Sequence, residues 1–135
     1  ARGAGMAQGA TKMALRYAME RKTFGKTIAE HQAIQLKLAE MSTRAAAAEL
    51  LVHQAADKYD RHERCDLEAG QAKFFASEAA VQNSLDAMRV FGGYSYSPEY
   101  EIERFYRDAP LLCIGEGTNE IQRMIIAKQM IARAS

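Results

Sequence analysis

Apolar positions along this chain recur at spacings of three and four over long stretches, and no alternation lasts long enough to demand a sheet. Met6, Ala10, Met13, Ala14 and Tyr17 share one helical face, which predicts a first helix over residues 3–20. Arg21-Lys22-Thr23-Phe24-Gly25-Lys26 breaks that pattern. Gly25 can take a positive φ at no steric cost, so a helix end and a tight loop are expected there. A second helix is predicted over 29–60, with Ile34, Leu38, Met41, Ala45, Ala48 and Ala55 as its buried stripe and Leu36, Leu50 and Leu51 broadening it. At 1.5 Å per residue it would run about 48 Å. Arg61-His62-Glu63-Arg64 makes the turn, and Asp66 is the candidate N-cap of a third helix reaching Phe91. Ala72, Phe75, Ala79, Val81, Leu85 and Met88 are its apolar positions. Gly92-Gly93 stops it, and Tyr94 to Pro98 reads as loop. A short charged helix is expected over 99–107, in which Glu103 with Arg107 and Glu101 with Arg104 stand at helical pair spacings. Leu111-Leu112-Cys113-Ile114 is too short to type by period, Gly115-Glu116-Gly117 reads as loop, and Thr118 can cap a last helix ending near Arg133. The fold class is therefore all-α: an up-down four-helix bundle with one short extra helix, in a single domain.

Composition narrows the class more than the fold. With 135 residues the chain suits one domain, and 18 Lys+Arg against 17 Asp+Glu leave a net charge of +1, which gives no reason to expect nucleic acid or an anionic membrane. The 48% hydrophobic and 26% charged content is globular, and no apolar run approaches the roughly 20 residues of a membrane span. Two distant cysteines, Cys65 and Cys113, point to a reducing compartment, the cytoplasm or a mitochondrial matrix. His31, His53 and His62 lack metal-ligand spacing, so no metal is expected. Ala1-Arg2-Gly3-Ala4 opens inside the helical pattern without a cap, which reads as a fragment.

Four constellations could carry chemistry. Gly3, Gly5 and Gly9 imitate a dinucleotide fingerprint, but the last glycine comes one residue late and no strand precedes it. Close helix approach at Gly5 and Gly9 explains them better. The loop at residues 21–26 suits a phosphate, with Arg21 as a donor fork, Thr23 as a hydroxyl and Phe24 as an aromatic face. Cations answering a helix C-terminal dipole are the plainer reading, though Phe24 has no amphipathic reason to sit in so polar a loop. A C-cap needs one glycine, so Gly92-Gly93 points to a close backbone approach. Glu116 between two glycines suits a general base on a bare loop, or else an acid answering a helix N-terminus.

Taken together, Tyr17 to Lys26, Glu30-His31-Gln32, Phe91-Gly92-Gly93-Tyr94, Tyr106-Arg107-Asp108-Ala109 and Gly115-Glu116-Gly117-Thr118 resemble the C-terminal helical domain of the acyl-CoA dehydrogenases. The resemblance covers the whole chain. It implies an FAD enzyme that introduces an α,β double bond into an acyl-CoA thioester, with N-terminal helical and middle β-domains that lie outside this chain. It implies Glu116 as the base that takes the α-proton and a backbone N–H of that residue on the thioester oxygen. Arg21, Thr23 and Phe24 match contacts to the FAD pyrophosphate and adenine, Gln32 a further one, and Gly93 and Thr118 flavin-contacting positions. Arg89 and Glu120 replace neutral amides of the family near the cofactor, and are expected to pair with each other or, for Arg89, with the pyrophosphate. Gly115 stands where some members place an aromatic, which implies room for a bulky or branched acyl group. The implied partners are acyl-CoA, an electron-transfer flavoprotein and further copies of the chain in a dimer or tetramer. An acyl-CoA oxidase and a catalytically silent assembly module are the alternatives, and the isolated chain is expected to bind FAD weakly and to lack turnover.

Overall fold

The computed structural model describes residues 1–134. Five helices account for most of them: α1 (Arg2–Glu20), α2 (Gln32–Asp60), α3 (Asp66–Phe91), α4 (Ile102–Ile114) and α5 (Asn119–Ala134). Between α1 and α2 lies a hairpin of two-residue strands, β1 (Lys22–Thr23) and β2 (Lys26–Thr27), followed by a 3-10 turn at Ile28–Glu30. A second 3-10 segment, Gly92–Tyr96, follows α3.

The core is an alanine seam. Ala4, Ala7, Ala10, Ala14 and Ala18 of α1 are buried together with Ala72, Ala76, Ala79, Ala80 and Ala87 of α3. Small residues on α1 let its neighbours come close: a Cβ on Gly3 would lie 2.7 Å from the Ala76 carbonyl of α3, and one on Gly9 would lie 2.8 Å from the Phe105 ring of α4. Gly5 faces open space, so the close-approach pair is Gly3 and Gly9 rather than Gly5 and Gly9. The larger residues expected inside α3, Phe75, Val81, Leu85 and Met88, are only half-buried, and Leu36 and Leu50 on α2 are exposed. The seam takes the smallest side chains because helices packed this closely have no room for longer ones.

Contacts fix the directions. Gly3 meets Ala76 and Tyr17 stacks on Phe91, so α1 and α3 run parallel. Lys58 bonds Glu68 at 2.7 Å while Arg44 bonds Asn83 at 2.7 Å, so α2 and α3 run antiparallel. Asn83, fully buried, joins all three helices, donating toward the Ala7 carbonyl at 3.2 Å and the Met41 carbonyl at 2.8 Å. The fourth column of the bundle is built from two helices in series. α4 starts beside the C-terminal end of α3, where Phe91 meets Tyr100, and ends where Lys73 reaches the Cys113 carbonyl. From there α5 continues, with Asn119 beside Ser77 and Arg133 bonded to Glu68. The column breaks at residues 115–118.

Three boundaries differ from expectation. Cys65, not Asp66, is the N-cap of α3; Asp66 is its first helical residue and bonds Arg64 at 2.7 Å. α4 begins at Ile102 and continues through Pro110 to Ile114, so the untyped apolar run is helical. Pro110 is exposed, and the carbonyl it leaves without a helical donor can turn to water. His31 precedes α2 as its N-cap instead of lying on it.

Candidate functional site

Most of the expected site residues fall into two clusters, one at the C-terminal end of α3 and one beside its middle turns at Lys73 to Ser77. Phe75 to Phe91 along that helix spans about 24 Å, and Gly3 to Arg21 along α1 about 27 Å. One cluster lies at the far end of each ruler.

At the Phe91 end, Tyr17, Arg21, Thr23, Ile28 and Phe91 to Tyr94 line an open cleft of about 450 Å³. Its floor is aromatic: Tyr17 and Phe91 stack at 4.1 Å, with Tyr100 edge-on to both at 6.0 and 5.5 Å. Burial pushes the Tyr17 phenol up, against the opposing pull of Arg21. The rim is cationic. Arg21 leaves α1 in extended backbone and lies over the Tyr94 ring at 5.5 Å. Among the described residues, neither Arg21 nor Lys22 has a carboxylate within 4.0 Å. Thr23 Oγ1 lies 3.0 Å from His31 Nε2; with the imidazole donating, the hydroxyl keeps its own proton for an anion. Phe24 and Gly25 form the two-residue turn of the hairpin at φ 51° and 80°, the pair of positive values a type I′ turn requires. Phe24 is 97% exposed there, an aromatic held in left-handed backbone with almost no cover. Gly92 has φ 63°, and a Cβ on Gly93 would meet nothing of this chain within 4 Å. The double glycine is therefore bare rather than packed.

Gln32, the first residue of α2, is exposed beside His31 and does not line the cleft. Arg89, in the last turn of α3, donates to Asp86 Oδ1 at 3.0 Å. Asp86 is buried, which alone would raise its pKa, but Gln82 together with Lys37, Arg44 and Arg89 holds it below the usual range. Glu120 stands 3.9 Å from Arg123. Within this chain, then, Arg89 and Glu120 do not pair, because each has a local partner and most of α3 separates them.

At the other cluster, Glu116 lies in the break between α4 and α5. Its φ is 59° and that of Gly117 is 85°, so a carboxylate-bearing residue and a glycine take left-handed backbone in succession. Among the described residues no group accepts a hydrogen bond from the Glu116 N–H. The carboxylate accepts from the Arg2 guanidinium and lines a cavity of about 420 Å³ with Arg2, Lys73, Ser77, Leu112 and several alanines. Its side chain is 74% exposed, so the burial a general base works under is not supplied by this chain. Thr118 Oγ1 accepts from the Ile121 N–H at 3.4 Å, a long cap at the start of α5. At Glu120 the helix-start N–H and then the Thr118 hydroxyl hold the carboxyl below its usual value.

Arg2 and Lys73 were not among the residues expected from sequence. Arg2 carries no local signal. Lys73 carries a weak one, a cation on the face of α3 otherwise occupied by Ala72 and Ala76. No described helix is long and apolar enough to cross a membrane.

Over residues 1–131 the chain matches the family model for the acyl-CoA dehydrogenase C-terminal domain, which makes it the helical domain of a flavoenzyme fold. It belongs to the acyl-CoA dehydrogenase family. It is 50% identical over 127 residues to the 3-(aryl)acrylate reductase of Clostridium sporogenes, covering 94% of this chain and 34% of that protein. It is 45% identical over 131 residues to the cyclohexane-1-carbonyl-CoA dehydrogenase of Geobacter metallireducens, covering 97% and 34%. Among solved structures, butyryl-CoA dehydrogenase from Megasphaera elsdenii superposes with a TM-score of 0.94 at 38% identity, covering 96% of this chain and 34% of that one. The chain thus spans about a third of the length of the relatives it matches.

Proposed function

We propose that this domain works within an FAD-dependent acyl-CoA dehydrogenase, with Glu116 as the base at the α-carbon of an acyl-CoA thioester. The observation that carries this reading is the Glu116 loop. A non-glycine residue in left-handed backbone costs roughly 1–2 kcal/mol, and here the cost falls on a carboxylate-bearing residue whose own N–H has no acceptor among the described residues. Such strain persists where the surroundings over-determine it, commonly at functional sites. The conformation offers two tools on one residue: a carboxylate to take the α-proton and an N–H to steady charge developing on the thioester oxygen. Loss of the α-proton and of a β-hydride leaves the Cα–Cβ double bond.

The residues present fit FAD. Arg21, without a carboxylate partner among the described residues, the Thr23 hydroxyl and the bare Gly92-Gly93 backbone share one cleft. Arg21 and Thr23 would hold the pyrophosphate, Phe24 would face the adenine, and Gln32 and Arg89 would add contacts from the exposed ends of α2 and α3. Gly93, Thr118 and Glu120 would lie nearer the ring system. When bound, FAD supplies the acceptor for the hydride. The separation of about 24 Å between the clusters favours a homo-oligomer in which two copies contribute to one cofactor. It also leaves the isolated chain a weak FAD binder without turnover. Electron-transfer flavoprotein is the proposed electron partner and the cytoplasm the proposed compartment.

Gly115 supports a bulky acyl group. Its φ of −69° is open to any residue, so the backbone does not require glycine, while a Cβ would sit 3.2 Å from the Leu111 carbonyl. Relatives named for an aryl acrylate and for cyclohexane-1-carbonyl-CoA point the same way. The test is Glu116→Gln in the full-length protein, assayed for exchange of the α-proton across straight-chain and ring-bearing acyl-CoAs. Exchange should fall by about a thousandfold or more while thioester binding is kept. Wild-type exchange in that variant places the base elsewhere.

A further inference from the structure

The loop that carries Glu116 bridges two helices in series, and one side chain holds the stems on either side of it. Lys73 Nζ donates to the Cys113 carbonyl at 3.3 Å and to Asn119 Oδ1 at 2.7 Å. Cys113 is in the last turn of α4, and Asn119 is the first residue of α5. Asn119 is 2% exposed; its oxygen also lies 3.0 Å from Ser77 Oγ, and its amide donates to Glu78 Oε1 at 2.7 Å. α3 therefore grips the start of α5 through three side chains. Among the described residues, its one hydrogen bond to the last turn of α4 is the one from Lys73. The ammonium suits this task, because it carries several rotatable donors on a flexible stem and can serve acceptors from two segments. Lys73 also lines the cavity into which Glu116 projects.

We propose that Lys73 is the positioning residue for the Glu116 base. By binding one acceptor on each stem it fixes the gap that residues 115–118 must cross. That gap holds Glu116 and Gly117 in left-handed backbone and presents the carboxylate and the N–H of Glu116 to the same side. With Lys73 gone, the buried Asn119 oxygen keeps Ser77 alone and the end of α4 is released, so the loop can relax out of its strained conformation. The proposal rests on the reading of Glu116 as base, but its mechanical half can be measured without that reading.

The experiment compares Lys73→Met and Lys73→Arg with wild type in the full-length, FAD-loaded enzyme. Amide hydrogen exchange without acyl-CoA should accelerate about tenfold across residues 113–119 in K73M and stay near wild type in K73R. The rate of α-proton exchange should fall about tenfold in K73M with KM changed less than about twofold, and K73R should restore most of it. If K73M does not fold, K73Q, which is neutral and shorter, carries the same readouts. Wild-type amide exchange at 113–119 in the neutral variant overturns the proposal. So does uniform acceleration throughout α3, α4 and α5, which would mark Lys73 as an ordinary packing residue. Retained α-proton exchange in Glu116→Gln removes the base reading on its own, whatever the loop amides do.

Discussion

The Phe24-Gly25 turn and the Glu116-Gly117 loop share a backbone and differ in what holds it. Each places a proposed site residue at φ between 50° and 60° and follows it with glycine, at 80° in one and 85° in the other. The first is held from within ten residues. β1 and β2 pair as Lys22 with Thr27 and Thr23 with Lys26, and a capping box joins Thr27 to Glu30 immediately beyond. The second is held from across the chain, by Lys73 on α3 and Arg2 on α1. The same local geometry can thus be written in a short segment or assembled by the tertiary fold, and the two should fail under different insults.

Asn83→Leu should produce the largest loss, because α3 is the frame on which both regions depend. The amide joins α1, α2 and α3 in a site with no solvent access. Removing it leaves the Met41 and Ala7 carbonyls short of a donor and Arg44 without its Asn83 acceptor, so about 3 kcal/mol should disappear. Chemical denaturation of the full-length protein measures it. Wild-type stability in this variant would mean that the two ends of α3 are braced independently.

Gly117→Ala and Gly25→Ala apply one substitution to the two turns. At Gly117 the new Cβ meets left-handed strain and the Gln122 amide at 2.9 Å, whereas at Gly25 it meets nothing within 4 Å. The expected costs are about 2 kcal/mol and about 1 kcal/mol. The readouts should diverge as well: G117A should slow α-proton exchange, and G25A should lower FAD content at saturating acyl-CoA. Equal losses in both assays would erase the distinction between the regions.

That distinction also decides what was legible in the sequence. The loop at residues 21–26 announced itself, because its cations, hydroxyl, aromatic and glycine are consecutive and the turn that organises them is local. Glu116 was legible for the same reason. Its clamp was not: Lys73 reaches Cys113 and Asn119 from 40 and 46 residues away, a relation that periodicity does not carry. The bundle itself followed from spacing, but the seam did not follow from size. Spacing found part of the seam, Ala10, Ala14, Ala72 and Ala79, but not Ala7, Ala18, Ala76 or Ala87, and it put Leu36 and Leu50 inside, where helices packed this closely leave no room for them. The continuation of α4 past residue 107 was not legible either, because period alone could not type the run at 111–114 and an exposed turn accommodates the hydrogen bond that Pro110 cannot make.

The smallest effect, and the finest test of local against remote support, is acid titration. Hydrogen bonds from the Thr27 hydroxyl and then its N–H hold Glu30 below the ordinary 4.5, so the hairpin's cap depends on a carboxylate bound by its own neighbours. Arg133 and then Lys58 hold Glu68 down at about 2 against the opposing effect of burial, tying α5 and α2 to the start of α3. Both groups are depressed in the fold. Each therefore contributes stability that is present above its unfolded value and is lost as pH falls through its folded one. Both contributions should begin to erode below pH 4.5; that of Glu30, whose pKa is lowered less, should be exhausted first, whereas that of Glu68 should decline progressively and vanish only near pH 2. Carboxyl chemical shifts followed by NMR distinguish them. Protection of the Thr27 amide should be lost first, while amides of the α5 C-terminal turn hold to the lower pH. A Glu68 that titrates near 4.5 would show the triad with Lys58 and Arg133 unformed in solution. The last turn of α5 would then lose its tie to Glu68, leaving α3 to hold the helix through Asn119, the Arg123–Phe74 contact and the packing of Ile126 at Gly70.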